Sequence, residues 1–553
     1  MPDSLTIALA QLDPVVGDID GNVGRILAAR AEAAAGGADV LVTTELAVAG
    51  YPPEDLVMKP AFLAAVRRGV ERLAAATADG GPAVIAGAPW LDDGRRTNAA
   101  LLLDGGRIVT RRDKWDLPNY GVFDEKRVFH AGDLPGPINV RGVRLGVGIC
   151  EDMWTPDVAE ALAETGAEIL VFLNGSPYDR AKADVRLNLA VARIAETGLP
   201  LAYVNQVGGQ DELVFDGGSF VLNADHALAT AAPMFREALL LTRWQRTNAG
   251  WRCAAGPVAG PATGLGAIYQ AMMLGLRSYV NKNGFPGIVL GLSGGIDSAI
   301  TAVVAADALG PSRVHCVMMP SPFTSQDSLD DAAAVATALG VRLDTVPIEP
   351  AMEAFDVMLA RAFNAPSAGL TKENLQSRIR GVTLMAISNT TGAMLVTTGN
   401  KSEMSVGYAT IYGDMAGGYS VLKDIYKTDV FALCRWRNEN MPEGGLGPAG
   451  RVMPGRVITK PPSAELRPDQ KDEDSLPPYA ELDRILHGLV EEDLGAEELV
   501  ARGHDAATVR RVWRLLELAE YKRRQAPLGV KLTSRAFGRD RRYPITNAFK
   551  GTA

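Results

Sequence analysis

The chain alternates short β-branched runs with amphipathic, alanine-rich stretches, and it does so twice. One alternation fills the first part of the sequence and a second begins after residue 266, with a segment rich in small residues and proline between them. Strands separated by helices favour parallel pairing, so each part is expected to form its own α/β sheet. The length of 553 residues agrees, because a single hydrophobic core stops growing at roughly 250–300 residues.

We therefore expect two α/β domains, at residues 1–253 and 267–553, joined by a linker at 254–266. In the first domain, strands are predicted at 5–10, 40–44, 83–87, 98–103, 143–149, 169–173 and 201–205, and helices at 22–35 and 180–196. In the second domain, strands are predicted at 288–292, 314–319, 343–348 and 393–397, and helices at 268–280, 298–309, 328–339 and 375–389. Residues 441–478 are dense in glycine and proline, which predicts an irregular segment that is either functional or disordered.

Composition excludes several classes of protein. The 56 Lys and Arg residues are outnumbered by 65 Asp and Glu residues, giving a formal charge of −9, so neither nucleic acid nor a membrane surface is an expected partner. The sequence has no apolar run near the roughly 20 residues of a spanning helix, and Met1–Thr6 does not read as a signal peptide. The cysteines form no CxxC pair. Together these features predict a protein of the reducing cytoplasm.

Residues 288–300 contain the most informative motif of the sequence. An apolar strand runs into Ser293-Gly294-Gly295 and then into a helix, so backbone amides and the positive helix end can converge on an anion without side-chain obstruction. Asp297 would lie beside bound phosphates, where a carboxylate is favourable if a divalent cation such as Mg²⁺ lies between them. The lysine of a Walker loop is absent, which excludes a P-loop NTPase.

The string Ser293–Ser298 resembles the signature of the ATP pyrophosphatases, which adenylate a substrate and release pyrophosphate. That resemblance implies a doubly wound parallel sheet of the adenine-nucleotide α-hydrolase type and ATP as a co-substrate. The ATP-binding residues that it implies are Gly291, Leu292, Ser293, Gly294, Gly295, Ile296, Asp297 and Ser298.

Further motifs select one family among the ATP pyrophosphatases. The strings at 373–380, 397–403, 412–414, 426–430 and 461–466 resemble the NAD synthetases in order and spacing. By that resemblance Thr398 contacts ATP, Lys427 neutralises phosphate charge during adenylation, and Glu403 joins Asp297 around Mg²⁺. The residues that the same resemblance assigns to deamido-NAD are Asn374, Glu403, Asp414 and Lys531.

The first half carries a second set of reactive residues. Glu45 and Cys150 each end an apolar strand, and Lys114 lies in a loop, so all three can converge at one edge of a sandwich. The set suffices for amide hydrolysis, because a thiolate attacks the carbonyl, a carboxylate transfers protons and an ammonium stabilises the oxyanion. We also expect the positive charge of Lys114 to lower the pKa of the cysteine.

These three strings resemble the Glu-Lys-Cys triad of the nitrilase superfamily, which implies an αββα sandwich for the first domain. The continuations at 121–127 and 174–178 resemble the glutaminase domain of glutamine-dependent NAD synthetases. That resemblance implies glutamine contacts from Tyr120, Ser176 and Lys182, and it places Glu125 beside the triad as a supporting group. Residues 223–266 carry no transferable motif.

The combined resemblance implies a glutamine-dependent ligase that takes glutamine, ATP and deamido-NAD, requires Mg²⁺, and forms a homo-oligomer of at least two chains. Two alternatives stay open from the residues alone. One is another amidotransferase of the same ATP class, such as one acting on a nucleotide. The other is a regulatory protein that senses nucleotide or glutamine without turnover, although a sensor has no need to keep both reactive sets.

Overall fold

The structure is a computed structural model, and it describes residues 2–180, 183–363 and 369–547. The chain divides into two compact units, Met1–Ala262 and Thr263–Ala553. In the described part of the chain, no helix is both long enough and apolar enough to cross a membrane.

The first unit contains fifteen strands among its described residues. These are β1 (Ser4–Gln11), β2 (Val40–Val42), β3 (Ala83–Asp92), β4 (Arg95–Asp104), β5 (Arg107–Asp113), β6 (Ile138–Val140), β7 (Val143–Ile149), β8 (Ile169–Asn174), β9 (Leu201–Asn205), β10 (Val207–Gln210), β11 (Leu213–Asp216), β12 (Phe220–Leu222), β13 (Leu228–Ala231), β14 (Ala238–Thr247) and β15 (Gly250–Cys253). Its helices are α1 (Ile19–Ala35), α2 (Pro60–Ala76), α3 (Glu125–Val128), α4 (Asp157–Glu164) and α5 (Ala183–Thr197). Short 3₁₀ turns lie at Glu54–Met58, Thr77–Asp79 and Cys150–Met153.

Two sheets lie face to face in this unit. One has the order β15-β14-β1-β2-β3-β4-β5 and the other the order β13-β12-β9-β8-β7-β6. Successive strand residues point to opposite faces, so Ile7 packs between the sheets in a core shared with Leu145, while Ala8 packs outward with α1 and α2. Helices α4 and α5 cover the outer face of the second sheet. The predicted αββα sandwich is thus confirmed.

The second unit has one six-stranded parallel sheet in its described residues. Its strands are β16 (Ile288–Gly291), β17 (Val314–Met318), β18 (Arg342–Thr345), β19 (Met394–Thr397), β20 (Tyr419–Ser420) and β21 (Leu528–Gly529). Its helices are α6 (Gly264–Lys282), α7 (Ile296–Leu309), α8 (Gln326–Leu339), α9 (Glu349–Phe363), α10 (Leu370–Thr391), α11 (Lys401–Val406), α12 (Lys427–Glu439), α13 (Gly455–Thr459), α14 (Tyr479–Val490), α15 (Ala496–Ala501), α16 (Ala506–Leu518) and α17 (Glu520–Arg523). Further 3₁₀ turns lie at Pro311–Arg313 and Asp472–Asp474.

The strand order is β18-β17-β16-β19-β20-β21. The chain therefore winds outward from β16 in one direction and then, starting at β19, in the other. A doubly wound sheet opens a crevice at the carboxyl ends of the two strands where the direction reverses. Here that crevice lies beyond β16 and β19, the strands that carry the glycine motif and the Thr397–Glu403 motif.

The sequence predicted the strands and helices around the motifs but missed several long elements, including α2, α9 and β14. Helix α6 begins at Gly264, inside the segment predicted as a linker, and the strand predicted at 343–348 ends at Thr345. The segment 441–478 is largely irregular as expected, yet it contains helix α13 and one 3₁₀ turn. The predicted helix at 180–196 is described from Ala183 onward.

Candidate active sites

Lys114 and Glu45 form a fully buried ion pair in the first unit. Lys114 Nζ lies 2.7 Å from Glu45 Oε1, and neither side chain is exposed. Glu45 follows β2 and Lys114 follows β5, two strands of the same sheet, so the fold brings two of the three predicted reactive residues together. The Glu45 carboxylate is fixed on both oxygens, by the Asn98 side-chain amide at 2.8 Å and by the backbone N–H of Gly175 at 2.9 Å.

A second carboxylate also contacts the lysine. Glu125 accepts hydrogen bonds from Lys114 Nζ at 2.9 and 3.0 Å and from the Tyr51 hydroxyl at 3.2 Å. Burial raises the pKa of Glu125 to about 7, although the neighbouring Lys114 opposes the rise. Burial lowers the pKa of Lys114, but the charges of Glu125 and Glu45 outweigh it and hold that pKa well above the ordinary value. Lys114 is therefore a fixed ammonium held between two carboxyl groups.

Cys150 lies in a sharp turn directly after β7. Its φ is 47°, in the left-handed region that side-chain-bearing residues rarely adopt. Burial raises the pKa of the thiol well above its ordinary value, the charge of Glu45 adds to the rise, and the charge of Lys114 opposes it. Lys114 thus lowers the pKa of the cysteine as expected, but burial and Glu45 outweigh it. The thiol needs a base to remove its proton. Of the neighbouring carboxylates, Glu45 has the largest effect on the pKa of the thiol.

Of the three predicted glutamine contacts, Tyr120 and Ser176 differ in exposure and in hydrogen-bond partners. Tyr120 is half exposed, and its hydroxyl donates to Glu151 Oε1 at 2.9 Å. Ser176 is buried, its Oγ accepts from Arg186 Nε at 3.1 Å, and its backbone N–H donates to Asn205 at 2.9 Å. Lys182 lies outside the described residues. Glu151 was not singled out from the sequence, although its position next to Cys150 was a signal.

The second unit has a cavity of about 300 Å³ in the crevice beyond β16 and β19. This volume lies at the small end of typical ligand pockets. The predicted site residues that line the cavity are Gly291, Leu292, Ser293, Gly294, Gly295, Ile296, Asp297, Ser298, Thr398, Glu403, Asp414 and Lys427. Lys460 and Arg380 also line it, and the sequence alone did not assign them a place there.

The glycine loop leaves no room for a side chain at its centre. Gly294 has a φ of +81°, and a Cβ there would lie 2.2 Å from the carbonyl oxygen of Ser328. The Ser293 backbone N–H donates to Ser298 Oγ at 3.1 Å, which closes the loop against the first turn of α7. The strand, glycine loop and helix follow one another as the motif predicted, an arrangement that can bind an anion.

Three charged side chains meet at one end of this cavity. Lys427 Nζ lies 2.5 Å from Asp297 Oδ2 and 3.0 Å from Glu403 Oε1. Burial raises the pKa of Glu403 to about 7, with Lys427 opposing, and burial lowers that of Lys427 while Asp297 and Glu403 together raise it well above normal. No cluster of three or more acidic, histidine or cysteine ligands occurs among the described residues. Two carboxylates nevertheless fit Mg²⁺, which takes one or two from protein and completes its shell with nucleotide phosphates and water.

Three predicted residues lie around or beyond this cluster. Asn374 and Asp414 both bind Thr410, Asn374 through the threonine hydroxyl at 3.1 Å and Asp414 through the backbone N–H at 2.7 Å. Asp414 lines the cavity, whereas Asn374 does not. Lys531 also does not line it, and Lys531 Nζ lies 3.2 Å from Asp540 Oδ2.

A buried ion pair lies at the start of α11, the helix that carries Glu403. Lys401, the first residue of α11, is completely buried, and its Nζ lies 2.7 Å from Asp424 Oδ1. The same ammonium donates to Thr533 Oγ1 at 2.8 Å and to Glu491. Helix α11 is therefore held to the segment that follows β21.

Both units match known protein families. A model of the carbon–nitrogen hydrolase family matches residues 6–250, and a model of the NAD synthase family matches residues 268–526. The chain thus joins an amide-hydrolysing type of domain to an NAD synthase domain.

Full-length relatives have the same combination. A glutamine-dependent NAD(+) synthetase from Rhodobacter capsulatus is 52% identical over 550 residues, with 100% of both chains covered. One from Xanthomonas campestris pv. campestris is 45% identical, with 99% of this chain and 98% of the relative covered. The solved structure of such a synthetase from Acinetobacter baumannii, in complex with adenosine diphosphate, is 40% identical and superposes with a TM-score of 0.78 over 100% of both chains. The chain belongs to the family of glutamine-dependent NAD(+) synthetases.

Proposed function

We propose that the protein converts deamido-NAD to NAD, driven by ATP and using ammonia released from glutamine at Cys150. The observation that carries this proposal is that one chain of this family holds both the Glu45, Lys114 and Cys150 set and a phosphate-binding cavity with Asp297, Glu403 and Lys427. The products are NAD, glutamate, AMP and pyrophosphate. The names of its full-length relatives favour deamido-NAD over another nucleotide as the acceptor.

Glutamine hydrolysis follows from the chemistry of the first set. Glu45 accepts the proton of the Cys150 thiol as the sulfur attacks the glutamine carboxamide, since burial disfavours a free thiolate there. Lys114 stabilises the negative oxygen of the tetrahedral species. The proton returns to the leaving nitrogen, ammonia departs, and water then hydrolyses the thioester to glutamate with Glu45 again as the base. Tyr120, Ser176 and Lys182 are the proposed glutamine contacts.

Amidation follows from the chemistry of the second set. The nicotinate carboxylate attacks the α-phosphorus of ATP, pyrophosphate leaves, and ammonia then displaces AMP from the adenylated carboxylate to give the amide. Residues 291–298 and Thr398 bind ATP, while Asn374, Glu403, Asp414 and Lys531 bind deamido-NAD. Asp297 and Glu403 would hold Mg²⁺, which neutralises phosphate charge when bound. Lys427 adds a second positive charge beside the departing pyrophosphate.

We assign the hydrolytic step to residues 1–253 and the synthetic step to residues 267–553, with 254–266 between them. The two matched families, at 6–250 and 268–526, support this division. All four cysteines are free, which is typical of a reducing compartment, and ATP is a co-substrate, so the cytoplasm is the proposed location.

We propose that the protein forms at least a homodimer through α9 and α10. Val357 and Met358 on α9, and Leu370 and Val382 on α10, are exposed apolar side chains. An exposed concentration of this kind marks an interaction surface on proteins of this class. Light scattering after gel filtration should report a dimer or larger, and Val382→Lys with Met385→Lys should shift it toward monomer, whereas Leu228→Lys in the first unit should not. A wild-type monomer would contradict this.

A turnover assay tests the proposed function. With deamido-NAD, ATP and Mg²⁺, the protein should form NAD with either glutamine or an ammonium salt, releasing one AMP per NAD. Glutamate should appear only with glutamine. Turnover of xanthosine monophosphate instead of deamido-NAD would identify another amidotransferase, and no AMP release with every substrate present would identify a sensor.

A further inference from the structure

Asp152 lies two residues after Cys150, and the reaction described above gives it no role. It belongs to the 3₁₀ turn Cys150–Met153, and its side chain is 1% exposed. A buried carboxylate is unfavourable unless several hydrogen bonds compensate for its lost hydration. Burial raises the pKa of Asp152 to about 7, while backbone N–H groups at Asp116 and Ile149 oppose the rise.

The two oxygens of Asp152 bind two different parts of the chain. Oδ2 accepts from the backbone N–H of Ile149 at 2.9 Å, which is the residue before Cys150. Oδ1 accepts from the backbone N–H of Trp115 at 3.1 Å and from that of Asp116 at 2.8 Å, the two residues after Lys114. One carboxylate therefore links the residue before Cys150 to the two residues after Lys114.

The topology explains why such a link matters. Lys114 follows β5 of the seven-stranded sheet, and Cys150 follows β7 of the six-stranded sheet. No β-ladder hydrogen bond joins the two sheets in the described residues, so side chains must set the separation of these two strand ends. Cys150 also has a φ of 47°, a conformation that persists only where its surroundings hold it.

We propose that Asp152 is a positioning residue for glutamine hydrolysis, holding the Lys114 ammonium and the Cys150 sulfur in register across the two facing sheets. The inference rests on the proposed function, because it takes Cys150 as the nucleophile. Its role is indirect: Asp152 acts through the backbone of its neighbours. Displacement of a reacting group by about 1 Å costs on the order of 100-fold in rate.

Asp152→Asn tests this with little change of shape. The amide NH₂ cannot accept from a backbone N–H, so one side of the link is lost. Asp39→Asn is the matched control, because Asp39 Oδ2 also accepts from a backbone N–H, that of Thr6 at 2.7 Å, but it precedes β2 at the end of that strand opposite Glu45.

The decisive readout is alkylation of Cys150 by iodoacetamide, followed on the Cys150 peptide by mass spectrometry between pH 6 and 9. A merely structural role would loosen the unit and speed alkylation of a buried thiol. The positioning role predicts the opposite, a rate slowed by about 10-fold, with glutaminase kcat lowered by about 100-fold and KM within about threefold. Ammonium-driven synthesis should stay within about twofold of wild type and reports folding.

Alkylation of Asp152→Asn as fast as that of wild type and Asp39→Asn, or an unchanged glutaminase kcat, overturns the proposal. If Asp152→Asn does not fold, the same comparison is made with Asp152→Glu, which keeps both oxygens but displaces them. Failure of the proposed function would show separately, as a wild-type protein without glutaminase activity or a Cys150→Ala variant that retains it.

Discussion

The side-chain amide of Asn400 donates to Asp297 Oδ1 at 2.8 Å, and its carbonyl oxygen accepts from the backbone N–H of Glu403 at 3.0 Å. Asn400 is completely buried and is the N-cap of α11. It therefore joins the Asp297 carboxylate on α7 to the backbone of Glu403 on α11, the two residues proposed to hold the cation.

Asn400→Ala should raise the Mg²⁺ concentration that supports half-maximal ammonium-driven synthesis, by roughly tenfold, because Asp297, a proposed Mg²⁺ ligand, loses the hydrogen bond that orients its carboxylate. Loss of the N-cap should also cost about 1 kcal/mol of stability. A Mg²⁺ titration of the rate measures the first effect and urea unfolding the second. Asn283→Ala, at an exposed helix end, is the control, and an unchanged Mg²⁺ requirement would contradict the assignment.

Cys150→Ala should abolish glutamine-driven synthesis, since no thioester can form. Ammonium should restore NAD formation to near the wild-type rate because the synthetase cavity is unchanged. The control is Cys253→Ala, which removes another buried thiol of the same unit. Loss of ammonium-driven synthesis in a folded Cys150→Ala protein would refute the assignment of two separate sites.

Asp297→Asn should show the opposite profile, with neither nitrogen source supporting synthesis. The substitution removes a cation ligand and also an ion-pair partner of Lys427, 2.5 Å away, so we expect a loss of about 100-fold or more in kcat/KM for ATP. Glutamine hydrolysis should persist at its basal rate. The exposed Asp330→Asn is the control. Near-normal ammonium-driven turnover would show that Asp297 does not act on ATP.

The buried pair of Lys401 and Asp424 predicts a pH-dependent contribution to stability. Burial alone would raise the pKa of Asp424, but Lys401 outweighs it and holds the pKa below the ordinary value. Stabilisation from the ionised carboxylate is therefore present above about pH 4 and is lost as the pH falls through the folded-state pKa. Asp424→Asn should cost up to about 3 kcal/mol at pH 7, because the buried Lys401 loses one carboxylate partner and keeps Glu491.

Thermal unfolding of wild type and Asp424→Asn between pH 3 and 8 checks this prediction. The difference in Tm should be constant above pH 5 and shrink below pH 4. Asp225→Asn removes an exposed pair with Arg252 and should change Tm little at any pH. A difference that is equally large at pH 3 would show that Asp424 stabilises the fold through its shape rather than its charge.

Sequence reasoning succeeded where a residue and its local pattern carry the signal together. Glu45, Cys150 and the glycine loop each follow an apolar run that predicts a strand, and the structure places each of them directly after or close to the end of a strand. Asn98 and Asp152 could not be found this way, because their roles come from hydrogen bonds to residues distant in sequence. In the sequence alone, Glu151 and Asp152 are both acidic residues next to or near Cys150. The structure distinguishes them, because Asp152 is the more buried and its carboxylate binds backbone N–H groups.

Other omissions have a simpler physical cause. Strands β20 and β21 have two residues each, too few for any periodicity to appear. The sign of the Cys150 pKa shift depends on a sum over burial, Glu45 and Lys114, and the sequence supplied only the lysine. The burial of Cys150 is set by the tertiary structure, so the residues next to it in sequence do not reveal it.

The antiparallel pairing of β1 with β14 has a consequence for the chain as it is made. Ser4 pairs with Gln245 and Gln11 with Ala238. Strand β1 is therefore synthesised long before β14, and β14 is complete only when almost the whole unit has been made. During that interval one edge of β1 is open to other nascent chains. A recombinant version of this unit that stops before Ala238 would lack β14 and keep that edge exposed permanently, and it should accumulate in inclusion bodies although Glu45, Lys114 and Cys150 are all present.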